Sequence, residues 1–235
     1  MAGLDRRALK LAPTDNPTRG PYNNGTMADA RFVPNPLPRS FYARGTLTVA
    51  RELLGMHLVR ADRGRLRIGR IVEVEAYKGP HDLAAHSSKG RTQRTEVMFG
   101  PPGHAYVYLI YGFWHCLNVV TAADGVPHAV LIRALEPVAG IEDTTHGPGL
   151  LCRAMDIDRR FNGADLAGPH LWIEKPRLYR RPRVMRATRI GVDYAGDWAH
   201  KPWRFFDRDS PYVSTVSAAA RRRALRAQTP AKLPT

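Results

Sequence analysis

The feature that most constrains the fold is a series of short apolar segments that have the pattern of β-strands. Across residues 66–76, apolar residues alternate with polar and charged ones, which is the period of two shown by a half-buried strand. Segments 106–111 and 116–120 flank a short glycine-containing turn and predict a hairpin. Segment 129–135 is apolar almost throughout and predicts a buried central strand, closed by residues 136–137.

Only two helices are predicted among these strands. The first covers 47–54, where Thr46 can cap the N-terminus and Gly55 ends the helix. The second covers 150–155 and follows a turn at 147–149. The sequence thus predicts a single α+β domain dominated by antiparallel strands. Further short strands are predicted at 171–174, 187–192 and 204–206.

The two ends of the chain differ from its centre. Residues 1–40 combine polar turns with prolines and keep no apolar period, and residues 217–235 carry basic side chains without an acid. We therefore expect basic tails over 1–40 and 217–235, on either side of one folded domain over 41–216.

The charge of the chain indicates a polyanionic partner. Thirty-six Lys and Arg face 21 Asp and Glu, which gives a net charge of +15 and a pI near 10.5. Such a balance attracts nucleic acid or an anionic membrane. No apolar run approaches the roughly 18 residues of a membrane span, and the N-terminus lacks the apolar segment of a signal peptide. Nucleic acid is the favoured partner, no membrane contact is expected, and the expected location is cytoplasmic.

Metal and redox chemistry have little support in the sequence. Cys116 and Cys152 are the two cysteines of the chain, which excludes a disulfide scaffold and a C-x-x-C motif. His81, Asp82 and His86 have no further metal ligand close in sequence. We expect neither a metal nor a cofactor.

The end of one predicted strand is the first candidate for chemistry. Glu73, Glu75 and Tyr77 share a face of this strand, which ends at 78–80 before a loop that carries His86. A carboxylate and a phenol at a strand end can form the rim of an active site. Glutamates that merely face solvent are the commoner explanation, and the pattern alone favours it.

Arg133 changes that balance, because it lies inside the apolar run 130–135. A buried guanidinium needs a partner, since a buried charge left unpaired is strongly destabilising. Glu75 and Glu136 are the candidate partners. The pair could tie strands together, or Arg133 could keep a carboxylate ionised and help to hold a water beside it. Spacing leaves both interpretations open.

The predicted hairpin carries aromatic residues at its turn. Tyr111, Phe113 and Trp114 surround Gly112, where a turn is normally polar and exposed. On a basic protein these rings could form a wedge that enters the base stack of DNA. They could equally pack on the core, although three rings on one turn favour the wedge.

A second aromatic set could grip a base that has been turned out of the helix. The alternative is that its members are ordinary sheet aromatics, and that Asn118 is a satisfied polar residue and not a reader of the base edge. The set consists of Tyr77, His86, Tyr106 and Tyr108.

Many of these segments together resemble the alkyladenine (3-methyladenine) DNA glycosylase family. The resemblance covers roughly Phe41 to Val216, and many motifs in the same order are far more specific than any one motif alone. The segment 177–186 is poorly matched. The matching segments are 70–77, 82–87, 97–99, 103–112, 116–118, 131–137, 147–152, 189–192 and 201–205.

The resemblance implies a curved antiparallel sheet with flanking helices and a hairpin that protrudes into the minor groove. In the family pattern, Glu75 stands at the position of the general base and Arg133 at that of the residue that helps to bind the attacking water. The backbone carbonyl of Ile190 matches the third water contact, and Tyr111 matches the residue that intercalates into DNA.

The same resemblance implies the walls of a base pocket. Tyr77, His86 and Tyr108 match the stacking and edge-reading residues, and Asn118 matches the position that clashes with the exocyclic amine of normal guanine. The implied activity is monofunctional hydrolysis of the N-glycosidic bond of alkylated purines by a monomer on double-stranded DNA. The implied substrates are 3-methyladenine and 7-methylguanine, with hypoxanthine and ethenoadenine as further candidates.

Two other functions are compatible with parts of the sequence. A noncatalytic DNA-binding module would use the basic tails for affinity and release no base. A hydrolase of nucleosides or glycans would also need a carboxylate and aromatic walls, but would leave the basic charge and the aromatic hairpin unexplained.

Overall fold

The computed structural model describes residues 34–215, and one large antiparallel sheet organises this part of the chain. The sheet contains eight strands, in the order β3-β4-β5-β2-β1-β6, with β8 beside β2 and β7 beside β8. It curls into a half-barrel, with a few short helices around it. The strands are β1 His57–Asp62, β2 Arg65–Lys78, β3 Ala105–Ile110, β4 Trp114–Thr121, β5 His128–Ala139, β6 Leu171–Glu174, β7 Val184–Ala187 and β8 Arg204–Asp207.

Within residues 34–215, three α-helices and four 3-10 helices accompany the sheet. The two predicted helices are confirmed as α2 and α3, and α1 is an additional short helix. Thr46 does not cap α2 as predicted: Gly45 occupies the cap position, and the Thr46 hydroxyl pairs with His128 Nδ1 at 2.9 Å. The α-helices are α1 Arg39–Tyr42, α2 Thr46–Leu53 and α3 Pro148–Ala154; the 3-10 helices are His86–Lys89, Glu96–Phe99, Arg159–Phe161 and Asp193–Trp198.

The long strand β2 is the centre of the fold and is buried on both faces from Gly69 to Ala76. Its first half pairs with β1 and its second half with β8 along one edge, while β5 runs along the other edge. The alternation of charged and apolar residues along β2 therefore does not separate a solvent-exposed face from a buried one. The interpretation that Glu73 and Glu75 face solvent is wrong, because both have no exposed surface.

A bulge between β2 and β5 displaces Arg133 from the regular ladder. Val74 pairs with Ile132 and Glu73 pairs with Ala134, so Arg133 is an extra residue on β5 with no register partner on β2. Bulges of this kind re-aim a side chain and are frequent next to active sites. Here the bulge allows the Arg133 side chain to reach the two carboxylates of β2.

Two strand boundaries differ from the sequence-based prediction. Strand β5 does not close at 136–137 but continues to Ala139, because Pro137 sits at a register shift where a missing N–H is tolerated. The predicted strand over 187–192 is wrong: β7 ends at Ala187, after which Gly191 has a φ of +75° and turns the chain. Residues 188–190, between the end of β7 and Gly191, are irregular because the Arg189 side chain points into the core.

Residues 1–33 and 216–235, which include most of the expected tails, lie outside the described residues. Within 34–40, Pro36 forms a bridge to Glu174 and Leu37 is buried, so the chain already contacts the domain before residue 41. Within 34–215, no helix has both the length and the apolar character that crossing a bilayer requires.

Candidate active site

A cavity of about 600 Å³ opens between the β3–β4 hairpin, β5 and the segment that follows β7. Aromatic and apolar side chains form most of its wall, with a few polar groups between them, which is the composition of a site for a flat organic ligand. The cavity collects every predicted site residue except Glu75. The predicted residues on its wall are Tyr77, His86, Tyr108, Tyr111, Asn118, Arg133 and Ile190.

Glu75 lies directly behind this wall and has no exposed surface. Its Oε2 accepts a hydrogen bond from the Tyr77 hydroxyl at 2.8 Å and one from Arg133 Nη1 at 3.3 Å, while Oε1 accepts from the Ile190 N–H at 2.8 Å. All three donors belong to residues that line the cavity. A carboxylate has about four acceptor positions, and these three donors fill three of them.

The surroundings of Glu75 act on its protonation in opposite directions. Burial raises the pKa of the carboxyl, and the neighbouring Glu73 adds to that rise. The Arg133 guanidinium, the Ile190 N–H and the Tyr77 hydroxyl each lower the pKa, but burial outweighs them and the pKa of Glu75 stays above its usual value. Burial and the nearby Glu75 carboxylate raise the pKa of Tyr77 well above its usual value, so that Tyr77 stays protonated and donates.

Arg133 bridges two buried carboxylates and so belongs to a chain of charges. Its Nε lies 3.4 Å from Glu73 Oε1 and its Nη1 lies 3.3 Å from Glu75 Oε2. Glu73 is also bound by Arg204 Nη1 at 3.0 Å and by the Ser214 N–H at 2.7 Å. The expected pairing with Glu75 is therefore present, whereas the alternative partner Glu136 is excluded.

Glu136 is bound elsewhere for a reason of register. It pairs across the sheet with Arg70, and the Arg70 guanidinium binds Glu136 at 2.9 Å and Asp207 at 2.7 Å. Glu136 follows Arg133 by three positions on β5. In a regular strand, side chains an odd number of positions apart point to opposite faces of the sheet. Only the register of β5 against β2 shows which carboxylates the two arginines reach.

Two aromatic side chains and a histidine form one wall of the cavity. The rings of His86 and Tyr108 lie 4.5 Å apart, edge to face, and His86 Nδ1 pairs with the Tyr106 hydroxyl at 2.9 Å. Burial lowers the pKa of His86 to about 4, helped by the positive charges of Arg94 and Lys89. The imidazole is therefore neutral near pH 7 and can present both a donor and an acceptor nitrogen.

Asn118 lies on the floor of the cavity and is almost fully buried. Its position follows from strand pairing, since it faces Tyr106 on β3 and Leu131 on β5. The side-chain Nδ2 donates to the Tyr106 carbonyl at 3.2 Å. This bond fixes the orientation of the amide on the wall of the cavity.

The hairpin turn presents two aromatic rings to solvent. Tyr111 is 79% exposed and Phe113 is 68% exposed, whereas Trp114 is half-buried against Gly149 of α3. Tyr111 has a φ of +52° and Gly112 a φ of +77°, as a type I′ turn requires, and the Phe113 N–H bonds to the Ile110 carbonyl. A bulky residue at positive φ is strained, and such strain concentrates at functional sites.

Comparisons with known proteins match this chain to one family. The model of the methylpurine-DNA glycosylase (MPG) family matches residues 40–211. This chain belongs to the methylpurine-DNA glycosylase family. Relatives named "Putative 3-methyladenine DNA glycosylase" include those of Legionella pneumophila strain Corby, 56% identical over 178 residues (76% of this chain, 97% of the relative), and Myxococcus xanthus strain DK1622, 54% identical over 191 residues (80% and 98%).

The family resemblance stated from the sequence is therefore confirmed, and with it the expectation of a DNA-repair enzyme of the DNA-3-methyladenine glycosylase class. A similar relative from Anaeromyxobacter sp. strain Fw109-5 is 56% identical over 179 residues, which cover 76% of this chain and 92% of the relative. The matches span the sheet, the hairpin and the cavity together.

Sequence reasoning named Glu73 and Asp82 but missed the buried ion pairs that they form beside the site of this glycosylase. Glu73, grouped with Glu75 only by strand face, is the second carboxylate on Arg133. Asp82 and Arg189 form an ion pair without exposed surface, next to Tyr77 and Ile190. Arg189 stands at the end of a basic run in the sequence, and nothing in its type separates it from the solvated arginines before it.

Proposed function

We propose that this glycosylase turns an alkylated purine out of duplex DNA into the aromatic cavity and hydrolyses its bond to deoxyribose with Glu75 as the base. The observation that carries this proposal is the buried Glu75 carboxylate, bound by three donors that all line one aromatic cavity. A flipped base is commonly held between aromatic faces and read at its polar edge. The cavity has both elements, in the Tyr77, His86 and Tyr108 side chains and in the Asn118 amide.

The charge on the substrate makes the chemistry feasible without a strong acid. Alkylation at N3 or N7 places a positive charge on the purine, so the C1′–N bond can break with its electron pair leaving on a neutral base. The sugar then develops oxocarbenium character, which a nearby carboxylate stabilises. A water oxygen forms the new bond to C1′, and Glu75 accepts the proton that this water loses.

Arg133 and Ile190 have supporting roles in this proposal. Arg133 donates to Oε2 of Glu75 and lowers the pKa of this carboxyl, which favours its ionised form. The fourth acceptor position of the carboxylate, on Oε1 beside Ile190, is proposed as the place for the water. The predicted contact through the Ile190 carbonyl stays a prediction, because the described bond to Glu75 is made by the Ile190 N–H. Among the described residues that line the cavity there is no lysine, which supports a hydrolysis without a Schiff base.

The preferred substrates are proposed as 3-methyladenine and 7-methylguanine, with hypoxanthine and ethenoadenine as weaker candidates that need protonation of a neutral base. Duplexes that each carry one lesion are incubated with the enzyme, and released bases are identified by mass spectrometry. Free alkylated bases above the enzyme-free background are expected from duplex DNA, and none above that background from the matching nucleosides. Release from nucleosides alone would overturn the proposal in favour of a nucleoside hydrolase.

Tyr111 is proposed as the residue that enters the gap left by the flipped nucleotide. The ring is 79% exposed at the tip of a strained turn next to the cavity mouth, and wedges of this kind compensate a stacking loss of a few kcal/mol. Tyr111→Ser in a Glu75→Gln background should weaken base flipping about tenfold, or about 1.4 kcal/mol. The readout is the fluorescence of a 2-aminopurine placed beside the lesion, and Phe113→Ser is the matched control.

Unchanged fluorescence in Tyr111→Ser, or an equal loss in Phe113→Ser, would contradict the assignment of the wedge to Tyr111.

We also propose that a monomer is sufficient, because one chain supplies the whole described wall of the cavity. Sedimentation of the enzyme bound to a lesion duplex measures this directly, and a 2:1 complex would contradict it.

A further inference from the structure

The buried ion pair between Asp82 and Arg189 has the geometry of a rigid clamp. Arg189 Nη1 lies 2.6 Å from Asp82 Oδ2, and Nη2 lies 2.9 Å from Asp82 Oδ1, so the contact is bidentate. Neither side chain has exposed surface. Paired, parallel bonds between a guanidinium and a carboxylate fix orientation as well as distance.

The clamp joins three separate segments of the chain. Asp82 accepts hydrogen bonds from the Lys78 and Ala84 N–H groups, both at 3.1 Å, which ties the end of β2 to the loop before His86. Arg189 donates to the Ala76 carbonyl at 2.9 Å and to the Trp198 carbonyl at 3.0 Å. Each of the three segments carries residues of the cavity wall.

The guanidinium of Arg189 also supports the aromatic wall itself. It lies 4.8 Å from the centre of the Tyr77 ring and 5.1 Å from the centre of the Trp203 ring. A desolvated guanidinium over an aromatic face is held by a favourable cation–π interaction. Tyr77 is the residue whose hydroxyl donates to Glu75, so the clamp touches one of the three donors of the carboxylate directly.

The next residue after Arg189 supplies another of those donors. The Ile190 N–H bonds to Glu75 Oε1 at 2.8 Å, yet the Ile190 side chain is 38% exposed and the following Gly191 is at a φ of +75°. The position of the Ile190 N–H therefore depends on the residues on either side of this segment. These are the buried Arg189 side chain before it and Val192, which packs with Ala84 and Ala195, after it.

From this geometry we propose that the Asp82–Arg189 pair is a positioning element that holds the Ile190 N–H and the Tyr77 ring against the Glu75 carboxylate. The proposal rests on the proposed role of Glu75 as the base. Without the pair, the segment at Ile190 loses its anchor on the Arg189 side, the Ile190 N–H can shift away from Oε1, and the position beside Oε1 is no longer fixed for a water. A misplacement of about 1 Å at a reacting centre can reduce the rate by about 100-fold, so we expect a loss of about 10- to 100-fold.

The pair should also control the pH at which Glu75 works. The groups that face Glu75 are Arg133 on β5, Tyr77 and Glu73 on β2, Tyr108 on β3, and Cys116 on β4. Of the donors, the Ile190 N–H lowers the pKa of the carboxyl. When this donor is lost, the pKa of Glu75 rises further, the base is protonated over a wider range, and the acid limb of the pH–rate profile moves to higher pH.

The test compares Asp82→Asn with Asp207→Asn. Asp207 forms a second buried pair, with Arg70 at 2.7 Å, in the same sheet but without a described contact to Glu75 or to Ile190. Both variants remove a carboxylate from a buried arginine, although Arg70 keeps Glu136 at 2.9 Å, so both should lower the melting temperature. Only Asp82→Asn should reduce the single-turnover rate of base release, by about 10- to 100-fold, and shift the acid limb upward, with lesion-duplex binding retained.

Equal pH profiles and equal rates in the two variants would show that the Asp82–Arg189 pair is only structural and would overturn the proposal. If Asp82→Asn does not yield folded protein, the same measurements on Arg189→Lys decide, because lysine keeps the charge and loses the fork and the ring contact. Glu75→Gln is measured in parallel. Full activity of Glu75→Gln refutes the role of Glu75 itself, whereas its inactivity beside a normal Asp82→Asn refutes the positioning role alone.

Discussion

Replacing Arg133 by Gln tests whether the buried site depends on one cation held between two carboxylates. Glu73 would keep three donors, from the Arg204 side chain and from the N–H and hydroxyl of Ser214. Glu75 would keep the Tyr77 hydroxyl and the Ile190 N–H but lose the guanidinium. The loss therefore falls mainly on Glu75.

The structure allows the size of the effect to be stated. Breaking a buried pair by removing one partner costs about 3 to 5 kcal/mol. The two Arg133 contacts measure 3.3 and 3.4 Å, longer than the usual charge-assisted bond, so we take the lower end, about 3 kcal/mol. For a domain of this size this corresponds to a fall in melting temperature of roughly 6 to 12 °C.

The sign of the pH dependence follows from Glu75. Without Arg133 its pKa rises further, so the stability deficit of the variant is greatest where Glu75 is ionised and shrinks as the pH falls through that raised pKa. Urea unfolding over a series of pH values measures the deficit, and single-turnover base release measures activity. Arg70→Gln is the control, because Arg70 also joins two carboxylates but lies outside the cavity wall.

We expect Arg133→Gln to lose both stability and base release, and Arg70→Gln to lose stability alone. A loss below about 1 kcal/mol with no pH dependence would refute the reasoning, because it would mean that Glu75 carries no buried charge that needs Arg133.

Two further predictions concern the walls of the cavity. Burial lowers the pKa of His86 to about 4, so its imidazole should not titrate between about pH 5 and 8 by NMR, and a midpoint near its usual value would contradict this. Asn118→Ala should raise the release of normal guanine about tenfold, since about 1.4 kcal/mol of steric discrimination is removed, while release of normal adenine stays constant. Equal release of guanine before and after the change would show that Asn118 does not exclude it.

The parts of the fold that the sequence predicts are those with a local pattern. The hairpin of β3 and β4, the long strand β2 and the helix α3 follow from apolar periodicity and turn residues, because these act over a few positions. The segment at 187–192 was predicted as a strand from the same kind of pattern. It fails because a distant carboxylate, Asp82, draws Arg189 into the core, and no local rule contains that contact.

The candidate site likewise has parts that sequence motifs indicate and parts that only the three-dimensional structure shows. Family motifs indicate which residues to examine, and the structure brings those residues to one cavity with Glu75 behind its wall. The choice of Glu75 and Glu73 over Glu136 as partners of Arg133 depends on a bulge between β2 and β5. A one-residue change in register would exchange the partners. The spacing of residues in the sequence does not show which register forms.

The most direct measurement is single-turnover release of 3-methyladenine from duplex DNA by Glu75→Gln, beside binding of the same duplex. Glutamine keeps the size of the side chain but cannot accept a proton from water, so base release should fall by about 10²- to 10⁴-fold while binding is retained. Release at the rate of the unchanged enzyme would contradict the account, because the buried carboxylate behind the cavity would then have no part in breaking the bond.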